Sequence, residues 1–221
     1  QLNKGLESYK EIAENKIEVL FEDGTTTIAD FLIGADGINS KVRKQLFPQS
    51  TIRHSGQTCW RGVADISLEE EFANWGIEMW GNQVRFGISK IAKDKVYWFA
   101  VVLANQNGKD SEGKKEKLLN LYRGFHPVVT KLIEATAVNK IIRNDIIDLK
   151  PIKQWHKNNV CLIGDAAHAT TPNMGQGGAQ AIEDAYYLSN FIEKGSVESF
   201  KLFQQKREKK VNTIVNQSWT T

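Results

Sequence analysis

Residues 162–185 combine an acidic side chain with a run of glycines, at a spacing that could hold a flat ring and an attached polyol. An apolar strand pattern ends at Gly164-Asp165, and a helix pattern begins within residues 175–178, where three of the four positions are glycine. An aspartate at the carboxyl edge of a buried strand can accept hydrogen bonds from sugar-like hydroxyls. Glycines at a helix start leave backbone N–H groups open to a ring. The stretch therefore predicts a ligand site.

The glycines alone leave a second interpretation open, because Gly-x-Gly-Gly can also permit tight packing between a helix and a strand. Residues 30–43 have a similar ambiguity. There an apolar strand is followed by Gly-Ala-Asp-Gly, which could be a simple turn, although Ser40 predicts the N-cap of a following helix. The two segments in this order, separated by a different type of sheet, favour ligand binding.

In these segments the chain resembles the class A flavoprotein monooxygenases. The family's second FAD motif is a strand ending in Gly-Asp, then Ala-Ala-His, a proline, and Gly-x-Gly before a helix with Glu-Asp-Ala. Residues 162–185 contain every one of these elements, and residues 30–43 are similar to the family's Asp-Gly motif. The resemblance continues at residues 57–62 and 143–146, and it includes zeaxanthin epoxidase-like and FAD-dependent urate hydroxylase-like members.

This resemblance implies an FAD-dependent monooxygenase that takes electrons from NADPH or NADH. In such enzymes O2 adds at flavin C4a, and the hydroperoxide delivers one oxygen atom to an aromatic or alkene small molecule. The cofactor carries this chemistry, so no catalytic side chain is assigned. Two alternatives stay open, namely a reductase or dehydrogenase of the same fold and a non-catalytic fragment.

The resemblance also implies which residues form the site. Asp36 and Gly37 would border the pyrophosphate, Asp165 would bind the ribityl chain, and His168 would fix the loop through a backbone hydrogen bond rather than act as a base. The expected cofactor contacts are Asp36, Gly37, Arg43, Gly164, Asp165, Ala166, Pro172, Met174, Gly175, Gln176, Gly177 and Gly178. The expected substrate pocket is Arg61, Trp80, Phe86, Trp98, Pro172 and Asn173, with core packing as the alternative for any single tryptophan.

The elements that position these residues indicate an α/β fold. We predict a three-layer, Rossmann-like FAD-binding domain fragment formed by residues 1–50 and 150–221. Residues 51–149 are predicted to be an inserted, mainly antiparallel β-sheet domain with helices, which binds substrate. The amino-terminal Gly-x-Gly-x-x-Gly segment that binds the ADP part of FAD is absent from the chain, so we expect a fragment whose FAD site needs that missing segment.

Local patterns give the individual elements. Residues 16–34 predict a hairpin around Asp23-Gly24, followed by a buried parallel strand at residues 31–33 whose two faces are both covered. Helices are predicted for residues 114–125, 127–134 and 175–191, and a last helix from Val197. The basic clusters at 114–117 and 206–210 are interpreted as solvated helix faces.

Composition limits the function classes. The net charge of +3 is too small to suggest nucleic acid, and the apolar runs are too short to form an integral membrane segment. Cys59 and Cys161 lie in apolar strand patterns, which indicates reduced, buried thiols and a cytoplasmic protein. The four histidines are scattered, so no metal is predicted.

Overall fold

The computed structural model describes residues 1–14, 16–110, 112–192 and 197–220. The chain forms two compact units. Unit 1 comprises Gln1–Ser55 and Ile147–Thr221, and unit 2 comprises Gly56–Ile146. In sequence, unit 2 is therefore an insertion into unit 1.

The strands are β1 (Leu6–Ala13), β2 (Lys16–Phe21), β3 (Thr26–Ala29), β4 (Leu32–Gly34), β5 (Ile52–Ala64), β6 (Ile77–Trp80), β7 (Val84–Ala92), β8 (Lys95–Leu103), β9 (Ile142–Leu149), β10 (His156–Lys157) and β11 (Val160–Leu162). The helices are α1 (Lys41–Leu46), α2 (Glu70–Ala73), α3 (Lys114–Leu121), α4 (Pro127–Ala135), α5 (Asp165–His168), α6 (Gly177–Ile192) and α7 (Glu198–Thr220), with short 3-10 turns at Val138–Lys140 and Pro172–Met174.

The first sheet of unit 1 is antiparallel, in the order β1-β2-β3. The predicted hairpin joins β2 to β3 and turns at Gly24, whose φ is +79°. β1 was not predicted, because its pattern Leu-Glu-Ser-Tyr-Lys-Glu-Ile-Ala does not alternate cleanly between apolar and polar residues. This strand forms because it pairs with β2.

The second sheet of unit 1 sets up the candidate site. β11 pairs with β4 in parallel, so that Gly34 lies opposite Leu162 and both strands end at the same edge. A Cβ at Gly34 would come within 2.8 Å of Leu162 Cδ2, so glycine allows the close approach. The parallel pairing confirms the predicted strand, but full coverage of both faces is wrong here, because Ile33 is 38% exposed.

Helices α6 and α7 complete unit 1. One face of α7 buries Phe200, Phe203, Val211 and Val215 in the core that also contains β11. No described helix has the combination of length and apolar sequence that crossing a membrane would need. The helix predicted from Val197 is confirmed, and its first residue is Glu198.

Unit 2 is built on a five-stranded sheet in the order β6-β7-β8-β5-β9. One face of this sheet packs against α2, α3 and α4 through a single hydrophobic core. In that core the Phe86 and Trp98 rings are stacked with centroids 5.5 Å apart, and Tyr122 meets Phe86 edge to face. The antiparallel sheet is as predicted, and its aromatic residues Trp60, Phe86 and Trp98 face its own helices.

Candidate functional site

Two tight turns lie at the carboxyl edge of the parallel pair. Gly37 follows β4 with φ +73°, and Gly164 follows β11 with φ +56°. A side chain would be strained at either backbone conformation. A Cβ at Gly164 would in addition lie 3.1 Å from the Ala181 Cβ of α6, so this position also brings the helix close to the strand.

The Asp36-Gly37 segment leads into α1 and bonds to its first turn. The Asp36 carboxylate accepts hydrogen bonds from the backbone N–H groups of Lys41 at 2.8 Å and Val42 at 3.2 Å. The Ser40 hydroxyl accepts one from Arg43 N at 2.8 Å, as the sequence predicts for an N-cap. Asp36 therefore fixes the turn, and Gly37 stays open to any ligand at this edge, since a Cβ there would meet nothing within 4 Å.

Arg43 joins the two motifs. Its guanidinium is buried and donates to the carbonyl oxygens of Ala166, at 3.0 Å, and Ile38. Burial lowers the pKa of this group below its ordinary value, with Asp36 opposing the shift. Because these donors are already engaged with backbone, Arg43 acts here by positioning α5 relative to α1. The Ala166 side chain is buried in the core of unit 1.

Asp165, by contrast, is available to a ligand. It is the first residue of α5, and its side chain is exposed. Within the described part of the chain, its carboxylate has no hydrogen-bond or ion-pair partner, unlike the carboxylates of Asp36 and Asp184. A free acceptor at this edge suits a ligand hydroxyl.

The space around the glycines bears on the two interpretations of residues 175–178. A Cβ at Gly178, in the first turn of α6, would meet no atom within 4 Å, and one at Gly177 would meet only Thr170 Cγ2 at 3.4 Å. Packing inside the protein therefore does not require glycine at position 178. The bare helix start is open, as a site for a flat ligand would be. Gly175 differs, because its φ of +63° already favours glycine.

The loop before α6 is tied to the last helix. Thr171 Oγ1 lies 2.6 Å from the Ser218 carbonyl oxygen, and the two hydroxyls are 2.7 Å apart. Asn173 Nδ2 donates to the same carbonyl at 2.9 Å. Next to these bonds, the buried Thr170 Oγ1 has no hydrogen-bond partner within the described residues. An unpaired buried hydroxyl is costly, so a ligand that supplied a donor or acceptor here would be favoured.

A buried cluster of charged and polar side chains, formed by Asp184, His168 and Arg207, fixes the Gly164 turn. Asp184 Oδ2 accepts hydrogen bonds from Gly164 N at 2.9 Å and pairs with His168 Nε2 at 2.6 Å. Arg207 Nε donates to the other oxygen, Asp184 Oδ1, at 2.8 Å. Burial raises the pKa of the Asp184 carboxyl, but the hydrogen bonds from His168, Arg207 and Gly164 outweigh it and hold the pKa below its usual value. Asp184 is thus a buried carboxylate.

This cluster corrects two expectations. The His168 side chain fixes the loop, but it does so through the Asp184 carboxylate and contact with the Trp155 ring, not through a backbone hydrogen bond. Arg207 is 1% exposed and is not part of a solvated face. It lies four residues after Phe203 and four before Val211, so the buried face of α7 could have revealed it.

The expected substrate residues fall into three groups. Phe86 and Trp98 are fully buried in the core of unit 2, which matches the core-packing alternative. Trp80 is 65% exposed and has the Arg85 guanidinium 5.1 Å from its ring centroid, and Arg61 is half-buried. In unit 1, Pro172 is exposed and Asn173 is anchored to α7. Contact between a substrate and any of these six residues stays a prediction.

The remaining expected cofactor contacts border the open helix start. Met174 is 40% exposed, and Gln176 Oε1 accepts a bond of 3.3 Å from Gln180 Nε2. Together, a parallel-strand edge, a free acidic side chain and a bare helix start define a flavin- or dinucleotide-binding α/β protein.

Comparison with known proteins specifies this class. The family model described as "FAD binding domain" matches residues 10–217. The chain therefore belongs to the FAD binding domain family.

The similar proteins are FAD-dependent monooxygenases and related oxygenating enzymes. Aurachin C monooxygenase/isomerase of Stigmatella aurantiaca is 44% identical over 174 residues, which are 79% of this chain and 45% of that protein. Zeaxanthin epoxidase of an Oncidium hybrid cultivar is 42% identical over 189 residues, which are 85% of this chain and 28% of that protein. The chain thus spans less than half the length of these relatives.

Among solved structures, the chain is similar to Klebsiella pneumoniae HpxO complexed with FAD and uric acid. The TM-score is 0.90 with 26% sequence identity, covering 98% of this chain and 57% of HpxO. The fold is that of an FAD-binding monooxygenase, as the sequence predicts.

Proposed function

We propose that the protein containing this chain is an FAD-dependent monooxygenase that uses NADPH or NADH and O2 to insert one oxygen atom into an aromatic or alkene small molecule. Family membership and the oxygenating relatives support the reaction class. The structural observation that carries the proposal is the open Gly178 position at the start of α6. Glycine in the first turn of a helix leaves backbone N–H groups open to a planar ligand, and this supports the proposal.

In this proposal the residues have separate roles. Asp165 accepts hydrogen bonds from the ribityl chain, and Asp36-Gly37 borders the pyrophosphate. The Gly177–Ile192 helix presents its N-terminus to the pyrimidine side of the ring, with Pro172 and Met174 beside the ring. A helix terminus stabilises a nearby negative charge by roughly 0.3–2 kcal/mol, so it would favour the reduced, anionic ring.

Bound FAD supplies the electron transfer and oxygen activation. The chain's own contribution is to orient the ring, keep water away and place the substrate. Asp184 and Arg207 serve this by fixing the Gly164 turn through buried hydrogen bonds. No side chain is assigned as nucleophile, acid or base.

The adenine end of FAD needs a further binding element. The chain contains no Gly-x-Gly-x-x-Gly, and the segments that match it make up only 45% and 28% of the two curated relatives. We propose that other residues of the whole protein hold the ADP part. The two free buried cysteines support a cytoplasmic location.

Oxygen uptake tests the reaction. The whole protein, purified with FAD, is given NADPH or NADH and a panel of phenols and alkenes, while O2 consumption and products are followed. Substrate-linked uptake with one oxygen atom from ¹⁸O2 in the product is expected. NAD(P)H oxidation without any oxygenated product, across the panel, would indicate a reductase or dehydrogenase instead.

A further inference from the structure

Two separate supports hold the loop of residues 169–174, which precedes α6 and borders the candidate flavin site. At the start of the loop, the Ala169 carbonyl oxygen accepts a hydrogen bond of 3.0 Å from Leu149 N at the end of β9. In the middle of the loop, the Thr171 hydroxyl lies 2.6 Å from the Ser218 carbonyl oxygen near the end of α7. The position of the loop therefore depends on where β9 and α7 end.

Arg53 of β5 contacts the neighbour of each support. Asp148 precedes Leu149 in β9, and Trp219 follows Ser218 in α7. Arg53 Nε and Nη2 donate to the two carboxylate oxygens of Asp148, at 2.8 and 2.6 Å. In addition, the guanidinium carbon of Arg53 lies 3.9 Å from the centroid of the Trp219 ring. All of these residues belong to unit 1, so one side chain connects both supports within that unit.

The contacts of Arg53 use two properties that lysine lacks. The Asp148 side chain is 0% exposed, and Arg53 is its only hydrogen-bond and ion-pair partner in the part of the chain that the structure describes. A guanidinium that donates to both oxygens of a carboxylate fixes its plane as well as its position. The same planar group can lie over an aromatic face, which a flexible ammonium does less specifically. Arg53 therefore fixes the geometry between β9 and α7 and does more than neutralise a buried charge.

We infer that Arg53 is a positioning residue for the flavin, which acts through Asp148 and Trp219 on the loop of residues 169–174. It does not contact the cofactor itself. This inference rests on the proposed function, because it takes the loop to lie beside bound FAD. Without Arg53, the buried Asp148 carboxylate loses its counter-charge, and the ends of β9 and α7 lose their common contact. The loop is then held less firmly, so FAD should bind more weakly and in a changed environment.

Replacements of Arg53 in the whole protein test the inference. Arg53→Lys keeps the charge, and the neutral pair, Arg53→Gln with Asp148→Asn, leaves no buried charge unpaired, so both remain informative if Arg53→Gln alone does not fold. Trp219→Leu removes the ring. The control is Val19→Ala, which deletes buried methyl groups in β2 of the same unit. The FAD dissociation constant, the visible absorption spectrum of bound FAD and the urea midpoint of the apoprotein are measured for every variant.

The FAD dissociation constant should rise about 2–30-fold in Arg53→Gln and in the neutral pair, the range for a residue that affects a site through its neighbours. The visible absorption bands of FAD should shift in the same variants, and Arg53→Lys should give smaller changes. Trp219→Leu should also weaken FAD binding. Combined with Arg53→Gln, it should weaken binding by less than the product of the two single factors, because both replacements remove one contact. Val19→Ala should lower the urea midpoint and leave FAD affinity and the spectrum unchanged.

A purely structural role for Arg53 would give a different result. Its replacement would then lower the urea midpoint, as Val19→Ala does, without changing FAD affinity or the flavin spectrum, and that outcome would overturn the inference. Effects of Arg53→Gln and Trp219→Leu that multiply, or an FAD dissociation constant that rises equally in Val19→Ala, would overturn it as well. Failure of the unmodified protein to bind FAD would instead contradict the proposed function.

Discussion

Arg207 of the last helix donates from Nε to Asp184 Oδ1 at 2.8 Å, and both side chains are buried. The other oxygen of Asp184 holds the Gly164 turn and His168. A residue 43 positions after Gly164 in the sequence therefore determines, through one carboxylate, where the candidate flavin turn lies. The pair links the packing of α6 and α7 to the site.

Breaking this pair should destabilise the protein strongly. Asp184→Ala leaves the buried Arg207 charge with only the partly exposed Glu183 as an ion-pair partner among the described residues and removes the acceptor for Gly164 N and His168, so the free energy of unfolding should fall by about 3 kcal/mol. Urea denaturation followed by circular dichroism measures the change. The control is Lys209→Ala. Lys209 is exposed and lies on α7, the helix of Arg207, so its replacement should change the free energy of unfolding by less than about 0.5 kcal/mol.

A double variant separates pairing from packing. Asp184→Leu with Arg207→Met removes both charges, and it should recover part of the stability lost in Asp184→Ala, because the buried Arg207 charge is gone while Glu183 keeps Lys210 as its partner. If Asp184→Ala were no more destabilising than Lys209→Ala, the pair would have no structural role.

The same carboxylate predicts acid sensitivity. The pKa of Asp184 is held below its ordinary value of 3.8. A carboxyl with a folded-state pKa below its unfolded-state pKa contributes stability above the unfolded value and loses it as the pH falls through the folded value. The stability difference between the unmodified protein and Asp184→Asn should therefore be constant near neutral pH and shrink below about pH 4. A difference that stayed constant down to pH 2 would contradict this assignment.

The Ser218 anchor should matter for the loop more than for the fold. Ser218→Ala removes the bond of 2.8 Å from its hydroxyl to the Thr171 carbonyl, which should reduce stability by about 1–2 kcal/mol and weaken FAD binding. Ser189→Ala, on an exposed face of α6, should leave both quantities unchanged. Equal FAD affinity in the two variants would show that the loop does not need this anchor.

Much of the fold follows from local patterns. The buried strand before Gly164, the hairpin at Gly24 and the helix that Pro127 opens are all encoded by periodicity and turn chemistry within about ten residues. The sequence did not predict β1, because its pairing with β2 stabilises it and its own residue pattern does not.

The site was harder to predict, because its supports come from distant parts of the chain. Asp165 and the glycines are visible as a motif, but the roles of Arg43 and Arg207 depend on contacts across 123 and 23 residues respectively. A charged residue within a basic run looks solvated until the helix face is known. The side of the sheet on which Phe86 and Trp98 lie likewise depends on strand register.

Asp165 should contribute to FAD retention without contributing to stability. Its carboxylate is exposed, so Asp165→Ala should change the free energy of unfolding of the FAD-free protein by less than about 0.5 kcal/mol, while the whole protein loses FAD during gel filtration. Asp94→Ala, at an exposed hairpin position, is the matched acidic control and should retain FAD. An unchanged flavin-to-protein ratio in Asp165→Ala would contradict the ribityl contact.

The most direct test of the flavin site is the FAD dissociation constant of Gly178→Ala, measured by flavin fluorescence together with the free energy of unfolding of the apoprotein. No internal atom opposes the new methyl group, so apoprotein stability should be unchanged or about 0.4–1 kcal/mol higher. FAD affinity should fall at least about tenfold, because the methyl group lies where the ring approaches the helix start. Gly124→Ala, also without a neighbour within 4 Å, should leave affinity unchanged. Unaltered FAD affinity in Gly178→Ala would contradict the assignment of the α6 start as the flavin site.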